Sequence, residues 1–183
     1  MKSIFILFLS FVLGSCIVIV VYGRTNDYDK LTETQKSNII HYAEGKSLDP
    51  RKVYAINAQE LLTELKKQPK SLVYIFVNGC SSETCYPMAV YEEYARTHNL
   101  KLFLVMTGFA HLSETTDQPF QGPLFAIDGD FYKEEKRFVY TRCFKNELQG
   151  LPVEQKHKAR DYRGGLYFFS GNQLDTICRE LPK

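Results

Sequence analysis

One run of six apolar residues, from Leu72 to Val77, constrains the fold of this chain more than any other feature. Branched and aromatic side chains follow one another without a polar break, which is typical of a strand that is covered on both faces of a sheet. Asn78 and Gly79 end the run, and Cys80 follows directly. The run therefore predicts a buried central strand that delivers a cysteine to one edge of a sheet.

Segments with strand and helix patterns alternate around this central strand. Strands are predicted at residues 53–56, 72–77, 100–106, 122–127 and 165–169, and helices at 58–67, 85–98 and 174–181. Residues 133–163 are charged and irregular, so we expect an insertion before the last strand. Alternation of this kind predicts one α/β domain over residues 53–183, with a central mixed sheet flanked by helices.

The N-terminus is apolar over residues 4–22, directly after Lys2 and Ser3. As a helix this stretch would be about 28 Å long, close to the ~30 Å hydrocarbon core of a bilayer. Three alternatives fit residues 1–23: an uncleaved membrane anchor, a cleaved signal peptide, and a lipoprotein signal around Cys16. Each one places the rest of the chain outside the cytoplasm. We expect a membrane-anchored or exported domain, periplasmic in a Gram-negative cell, that follows a polar tether with a short helix at residues 24–52.

Charge and composition exclude some classes of partner. The net charge is only +2, and lysine and arginine alternate with aspartate and glutamate without a long basic run. A nucleic-acid-binding protein usually has a clustered basic face, so we expect no nucleic-acid partner. Cysteine and histidine do not cluster at the spacing of a metal site, so we expect neither a metal nor another cofactor.

Four cysteines lie beyond the N-terminal segment: Cys80, Cys85, Cys143 and Cys178. Disulfides persist in an extracytoplasmic compartment, and the sequence leaves all three possible pairings open. Cys143 and Cys178 are predicted as a structural disulfide that would fasten the insertion to the last helix. Cys80 and Cys85 lie near a predicted helix N-terminus, which lowers the pKa of a thiol, and are therefore the candidate redox pair.

The spacing of the pair constrains its geometry. With Thr84 as the N-cap, Cys85 is the first helical residue and Pro87 lies in the first turn, where its missing N–H costs nothing. With Ser81 as the N-cap, Pro87 lies deeper and costs about 3 kcal/mol or kinks the helix. Helical residues five apart are ~7.5 Å apart along the axis, too far for a regular disulfide. A bridge therefore requires residues 81–84 to form a loop, and such a small ring stabilises the fold little.

The order of elements, with a cysteine pair between the second strand and the second helix, resembles the thioredoxin fold over residues 53–181. The apolar strand that ends at Cys80 looks like the strand that delivers the redox cysteine in that family. Pro123 lies where the family has a cis-proline before its fourth strand, and Ser170-Gly171 is similar to the entry into the family's last helix.

The resemblance implies a membrane-associated thiol–disulfide oxidoreductase with Cys80 and Cys85 as catalytic residues and protein thiols or disulfides as partners. Pro123, if cis, would shape the backbone that faces the substrate, beside the thiols. Tyr86 is a candidate for lining the substrate groove.

Departures from the family leave other functions open. The pair is Cys-x4-Cys instead of Cys-x-x-Cys, a spacing found in one group of peroxiredoxins, but Val73 and Val77 replace the Pro and Thr of that group. Copper-delivery proteins of the same fold use Cys-x3-Cys-Pro and a distant histidine, which Cys85-Tyr86-Pro87 and His111 resemble except for one residue of spacing. The alternatives are therefore a redox-silent binding module with structural disulfides and a copper-handling protein.

Overall fold

The computed structural model describes residues 23–80, 85–152 and 164–182. The strands are β1 (Ile39–His41), β2 (Val53–Ile56), β3 (Lys70–Phe76), β4 (Lys101–Met106), β5 (Leu124–Ile127), β6 (Leu166–Ser170) and β7 (Gln173–Cys178). The helices are α1 (Glu33–Lys36), α2 (Ala58–Lys66), α3 (Met88–Thr97), α4 (Leu112–Thr116) and α5 (Arg137–Leu148), and a 3₁₀ turn lies at Tyr28–Lys30.

The seven strands form one mixed sheet in the order β1-β2-β5-β4-β3-β6-β7. The first five strands in this order, β1, β2, β5, β4 and β3, are parallel to one another. β6 is antiparallel to β3, and β7 is antiparallel to β6. Since parallel strands need crossover connections, helices cover the sheet on both faces. The prediction of an α/β domain with a central mixed sheet and flanking helices is confirmed.

The central strand β3 is covered on both faces, as its apolar run predicts. Val73 and Ile75 belong to the hydrophobic cluster that includes α2 and α5. Leu72 and Phe76 belong to the clusters that contain residues of α3 and α4. Because successive side chains of a strand point to opposite faces, this division places α2 and α5 on one side of the sheet and α3 and α4 on the other.

Helix α2 begins where the sequence predicts. The Asn57 side chain accepts the backbone N–H of Glu60 at 3.0 Å, and the Glu60 carboxylate accepts the N–H of Asn57 at 3.0 Å. This reciprocal capping box satisfies two of the N–H groups that have no partner within the helix. Leu61 and Leu65 are fully buried against the sheet, so the predicted apolar face of this helix is confirmed.

The sequence analysis expects residues 133–163 to be irregular, but part of this segment is helical. It contains α5, on which Tyr140, Cys143 and Phe144 are fully buried. The Tyr140 hydroxyl also donates a hydrogen bond to the Thr107 carbonyl at 2.5 Å. Apolar positions of α5 recur at helical spacing, but the charged residues around them conceal the pattern. This part of the insertion is therefore a core element.

A hairpin of β6 and β7 lies where a helix is predicted at residues 174–181, so that prediction is wrong. β7 follows β6 after a two-residue turn, in which Gly171 has a φ of +59° that glycine adopts without strain. The Gly171 N–H donates to the Pro69 carbonyl at 3.1 Å, which fixes the turn beside the start of β3. Backbone pairing with β6 thus overrides the helical spacing of the apolar residues.

The predicted tether at residues 24–52 is part of the folded domain. Its helix is shorter than expected, and β1 adds a parallel edge strand beside β2. Asp27 is 3% exposed, and the carbonyl of Asn26 accepts the N–H of Phe109 at 2.7 Å. Among the helices in the described ranges none is long and apolar enough to cross a membrane, and the predicted span at residues 4–22 lies outside those ranges.

Two buried tyrosines predict a loss of stability at alkaline pH. Burial raises the pKa of Tyr132 and of Tyr140 well above the ordinary value, and a hydrogen bond to Glu147 raises the pKa of Tyr132 further. Above pH ~10 the unfolded chain loses these protons while the folded protein keeps them. The free energy of unfolding should therefore fall by about 1.4 kcal/mol per pH unit for each tyrosine that stays protonated.

Urea unfolding between pH 8 and pH 11, followed by circular dichroism, measures this slope. Tyr132→Phe should be less stable than the wild type at pH 8, because it loses the hydrogen bond to Glu147. Its stability should fall less steeply above pH ~10, because one titrating group is gone. Equal slopes for the two proteins would contradict this account.

Candidate functional site

Cys80 lies beyond the end of β3, at the edge of the sheet where the parallel strands end. Buried Asn78 fixes this end of the strand. Its side-chain amide donates to the Gly108 carbonyl at 2.9 Å, and its side-chain oxygen accepts the Thr115 hydroxyl at 2.8 Å. The residue that the sequence marks only as a strand breaker therefore holds the cysteine-bearing segment against the connection from β4 to α4.

Cys80 and Cys85 form a disulfide with their Cα atoms 6.1 Å apart. This separation lies within the usual range of about 4.4–6.8 Å, so the prediction that the two residues can be bridged is confirmed. The predicted loop at residues 81–84 lies outside the described residues. Cys80 is exposed and Cys85 is half-buried, so Cys80 is the more accessible of the two to solvent.

The helix after the pair begins later than predicted. Pro87 is the N-cap of α3, so Cys85 is not its first residue and Thr84 is not its cap. A proline disfavours the helical conformation of the residue before it, so Tyr86 is not helical and the helix begins at Met88. The dipole of α3 therefore acts on Cys85 from just outside the first turn, where its effect is weaker.

Gln118, two residues beyond the end of α4, supplies the side-chain cap that Pro87 lacks. The Met88 N–H donates to the Gln118 side-chain carbonyl at 3.0 Å. The Gln118 amide group in turn donates to the Glu114 carbonyl at 3.2 Å. The start of α3 and the helix that follows β4 are thus joined directly beside the disulfide.

A groove of about 250 Å³ opens beside the disulfide. Its described walls include Cys80, Cys85, Tyr74, Phe76, Tyr86 and Met88. The side chain of Tyr86 is 43% exposed and its ring centroid lies 6.4 Å from that of Tyr91. Tyr86 therefore presents an accessible aromatic surface next to both cysteines.

Pro123 lies away from this groove. Leu124 of β5 pairs with Leu104 of β4, and Leu104 pairs with Tyr74 in the middle of β3. β5, which follows Pro123, is therefore two strands away from β3. The peptide bond before Pro123 is trans, and Pro123 is absent from the described walls of the groove. The expectation that it shapes the backbone beside the thiols is wrong, because β5 pairs with β2 and β4 and not with the strand that leads to Cys80.

Cys143 and Cys178 are thiols, and the predicted bridge between them is not formed. Cys143 lies on α5, within the cluster on one face of the sheet. Cys178, at the end of β7, packs against the cluster with Tyr91 on the opposite face. The sheet itself separates the two sulfur atoms. No disulfide therefore holds the insertion in place. Its helix α5 is held by the burial of its apolar side chains instead.

His111 and Glu114 form a hydrogen-bonded pair against the residue before Cys80. The Nδ1 atom of His111 lies 2.9 Å from the Glu114 Oε1 atom. Both side chains lie against Gly79, the residue before Cys80: a Cβ atom added to Gly79 would be 3.0 Å from His111 Cγ and 3.0 Å from Glu114 Oε2. In the part of the chain that the structure covers, no group of three or more histidine, cysteine and acidic side chains could hold a metal ion.

Comparison with known proteins gives no relative from which a function could be transferred. No protein-family model, curated protein or solved structure matches this chain. Function is therefore argued from the geometry of the site.

A second, larger cavity of about 830 Å³ lies at the ends of β1 and β5. Five of its lining residues are carboxylates: Asp29, Asp128, Asp130, Glu134 and Glu135. It shares none of its described lining residues with the groove at the disulfide. The sequence analysis missed this cavity because its walls come from segments that are far apart along the chain, and only the order of the strands brings them together.

Proposed function

We propose that this protein is an extracytoplasmic thiol–disulfide oxidoreductase in which Cys80 and Cys85 alternate between disulfide and dithiol. The observation that carries the proposal is the disulfide itself, at the exposed end of the central strand and beside an open groove. The ring between the two cysteines is so small that the bond adds little to stability through chain entropy. An accessible disulfide of this kind is better suited to exchange than to fastening the fold.

We further propose that the domain is a thioredoxin-like variant. Support comes from β3, which leads to Cys80, and from α3, which follows Cys85. The terminal hairpin and the position of Pro123 depart from the family pattern. The wider spacing of the cysteines is a third departure, so the proposal of activity rests on the exposed disulfide and not on the likeness of the fold.

The exposures of the two cysteines favour one order of steps. A partner thiolate attacks the exposed Cys80 sulfur, a mixed disulfide forms, and Cys85 leaves as a thiolate that takes a proton from solvent. A second partner thiolate then attacks the partner's sulfur in the mixed disulfide, and Cys80 leaves in the same way. The partner loses two electrons and becomes a disulfide, while the protein gains them as a dithiol. The reverse reaction restores the protein, and relative reduction potentials set the direction.

Protein thiols or disulfides are the partners that this chemistry implies. The groove presents an aromatic wall at Tyr86 next to the reactive bond, which suits a polypeptide side chain beside the partner's cysteine. An apolar segment at residues 4–22 would hold or send the domain outside the cytoplasm, where such exchange takes place.

A redox titration tests the proposal. The protein is equilibrated in glutathione buffers of defined potential, quenched with an alkylating reagent and analysed by mass spectrometry. Cys80 and Cys85 should gain or lose two alkyl groups together within about −100 to −300 mV, the range of exchange-active protein disulfides. A bond that does not open anywhere in this range would leave a redox-silent binding module as the better account.

A further inference from the structure

The imidazole of His111 lies against the backbone immediately before Cys80. Gly79 has a φ of +67°, and a Cβ atom built on it would be 3.0 Å from His111 Cβ and Cγ. Such a contact is closer than side chains normally allow, so glycine at this position permits the approach of the histidine. Cys80 is the next residue, with its Cα about 3.8 Å further along the chain.

The position of this histidine is fixed by the same contacts that fix the end of β3. His111 has a left-handed conformation (φ 54°, ψ 33°), which is uncommon for residues other than glycine. The residue after it, Leu112, is buried, and so is Thr115, which donates its hydroxyl hydrogen bond to Asn78. The backbone that carries His111 and Glu114 is therefore held beside Gly79.

The two members of the pair act on a Cys80 thiolate with opposite sign. A protonated imidazole stabilises a nearby thiolate, and a carboxylate destabilises it. His111 and Glu114 are both partly exposed, with 49% and 60% of their side chains accessible. The interactions are therefore screened, but over distances shorter than the Debye length of about 8–10 Å they persist at physiological ionic strength.

From this geometry we infer that His111 and Glu114 together set the thiolate fraction of Cys80, and so the rate at which Cys80 attacks a disulfide. They are positioning residues, since neither is part of the bond that is exchanged. The consequence for exchange rests on the proposed function, whereas the effect on the Cys80 thiol does not. The sequence indicates His111 only as a possible metal ligand and not its contact with Glu114 and Gly79, because the pair reaches Gly79 from a different connection of the sheet.

The test is the alkylation rate of Cys80 by iodoacetamide, which reacts with the thiolate, in a Cys85→Ser background at pH 6. His111→Asn, which keeps a residue that tolerates the left-handed conformation, should lower the rate about threefold. Glu114→Gln should raise it about threefold, because one nearby negative charge is removed. His98→Gln, a change at the C-cap of α3 in a residue that stacks on Tyr94, is the matched control and should leave the rate unchanged.

Opposite shifts in the two variants support the inference, because a loss of packing would move both rates in the same direction. Shifts of the same sign, or no shift in Glu114→Gln, overturn it. Glu114→Gln alters an exposed side chain, so it keeps the test decisive if His111→Asn does not fold. Exchange of the protein that has both cysteines with a disulfide peptide separates the two proposals. If no exchange occurs, the proposed oxidoreductase function is refuted. If the alkylation rate of Cys80 is the same in the variants and the parent protein, the role of His111 and Glu114 is refuted.

Discussion

Replacing Cys85 with serine is expected to leave Cys80 joined to its partner in a mixed disulfide, whereas replacing Cys80 with serine is expected to prevent that adduct. Cys80 is exposed and Cys85 is half-buried, so an incoming partner meets Cys80 first. Without Cys85 no neighbouring thiolate is available to resolve the intermediate. Most of the Cys85→Ser protein should be trapped, and none of the Cys80→Ser protein should be trapped detectably through Cys85.

The trapping is measured by incubating each reduced variant with a disulfide peptide of known mass and recording the intact mass after acid quenching. Cys178→Ser, combined with each change, controls for the second partly accessible thiol. Equal amounts of adduct on the two single variants would contradict the assignment of Cys80 as the first point of attack. If the adduct disappears only when Cys178 is also replaced by serine, the exchange occurs at Cys178 and not at Cys80 and Cys85.

Phe144→Ala is expected to cause the largest loss of stability. The side chain is fully buried on α5, within the cluster that joins this helix to α2 and to the sheet. Removal of a buried phenylalanine costs about 3–5 kcal/mol through lost transfer free energy and the cavity that remains. Such a loss would show that α5 belongs to the core, although it lies in a segment that the sequence analysis expects to be irregular.

Phe138→Ala is the matched control on the same helix. Phe138 is 62% exposed, and the guanidinium carbon of Arg142 lies 5.8 Å from its ring centroid, so its removal should cost less than about 1 kcal/mol. Urea unfolding followed by circular dichroism compares the two variants with the wild type. Losses of equal size would mean that α5 does not bury one face, which would contradict the described packing.

The sequence predicts best those elements that are buried on both faces. Apart from Lys70, Ser71 and Lys101 at their starts, β3, β4 and β5 are continuous apolar runs, because most of their side chains are buried on both faces of the sheet. The edge strand β1 has only three residues and is partly exposed, so it leaves no such run. Local patterns also fail for β7, whose apolar residues fit a helix, because its conformation depends on pairing with β6.

The candidate site also has features that local sequence predicts and features that it does not. The cysteine pair, its position after the central strand and the possibility of a bridge follow from spacing, since five residues leave room for a disulfide only outside a regular helix. Strand order is not encoded locally, and for this reason the sequence does not show that β5, which follows Pro123, is two strands away from β3. The contact between His111 and Gly79 depends on the same order, because it joins the ends of two neighbouring strands.

The redox titration of Cys80 and Cys85 is the most direct test of the central claim. The account predicts one two-electron transition within about −100 to −300 mV, in which both cysteines become accessible to alkylation together. The same transition should remain in Cys178→Ser. A disulfide that stays closed throughout this range, or two thiols that titrate separately, would contradict the claim that this bond is the working part of the protein.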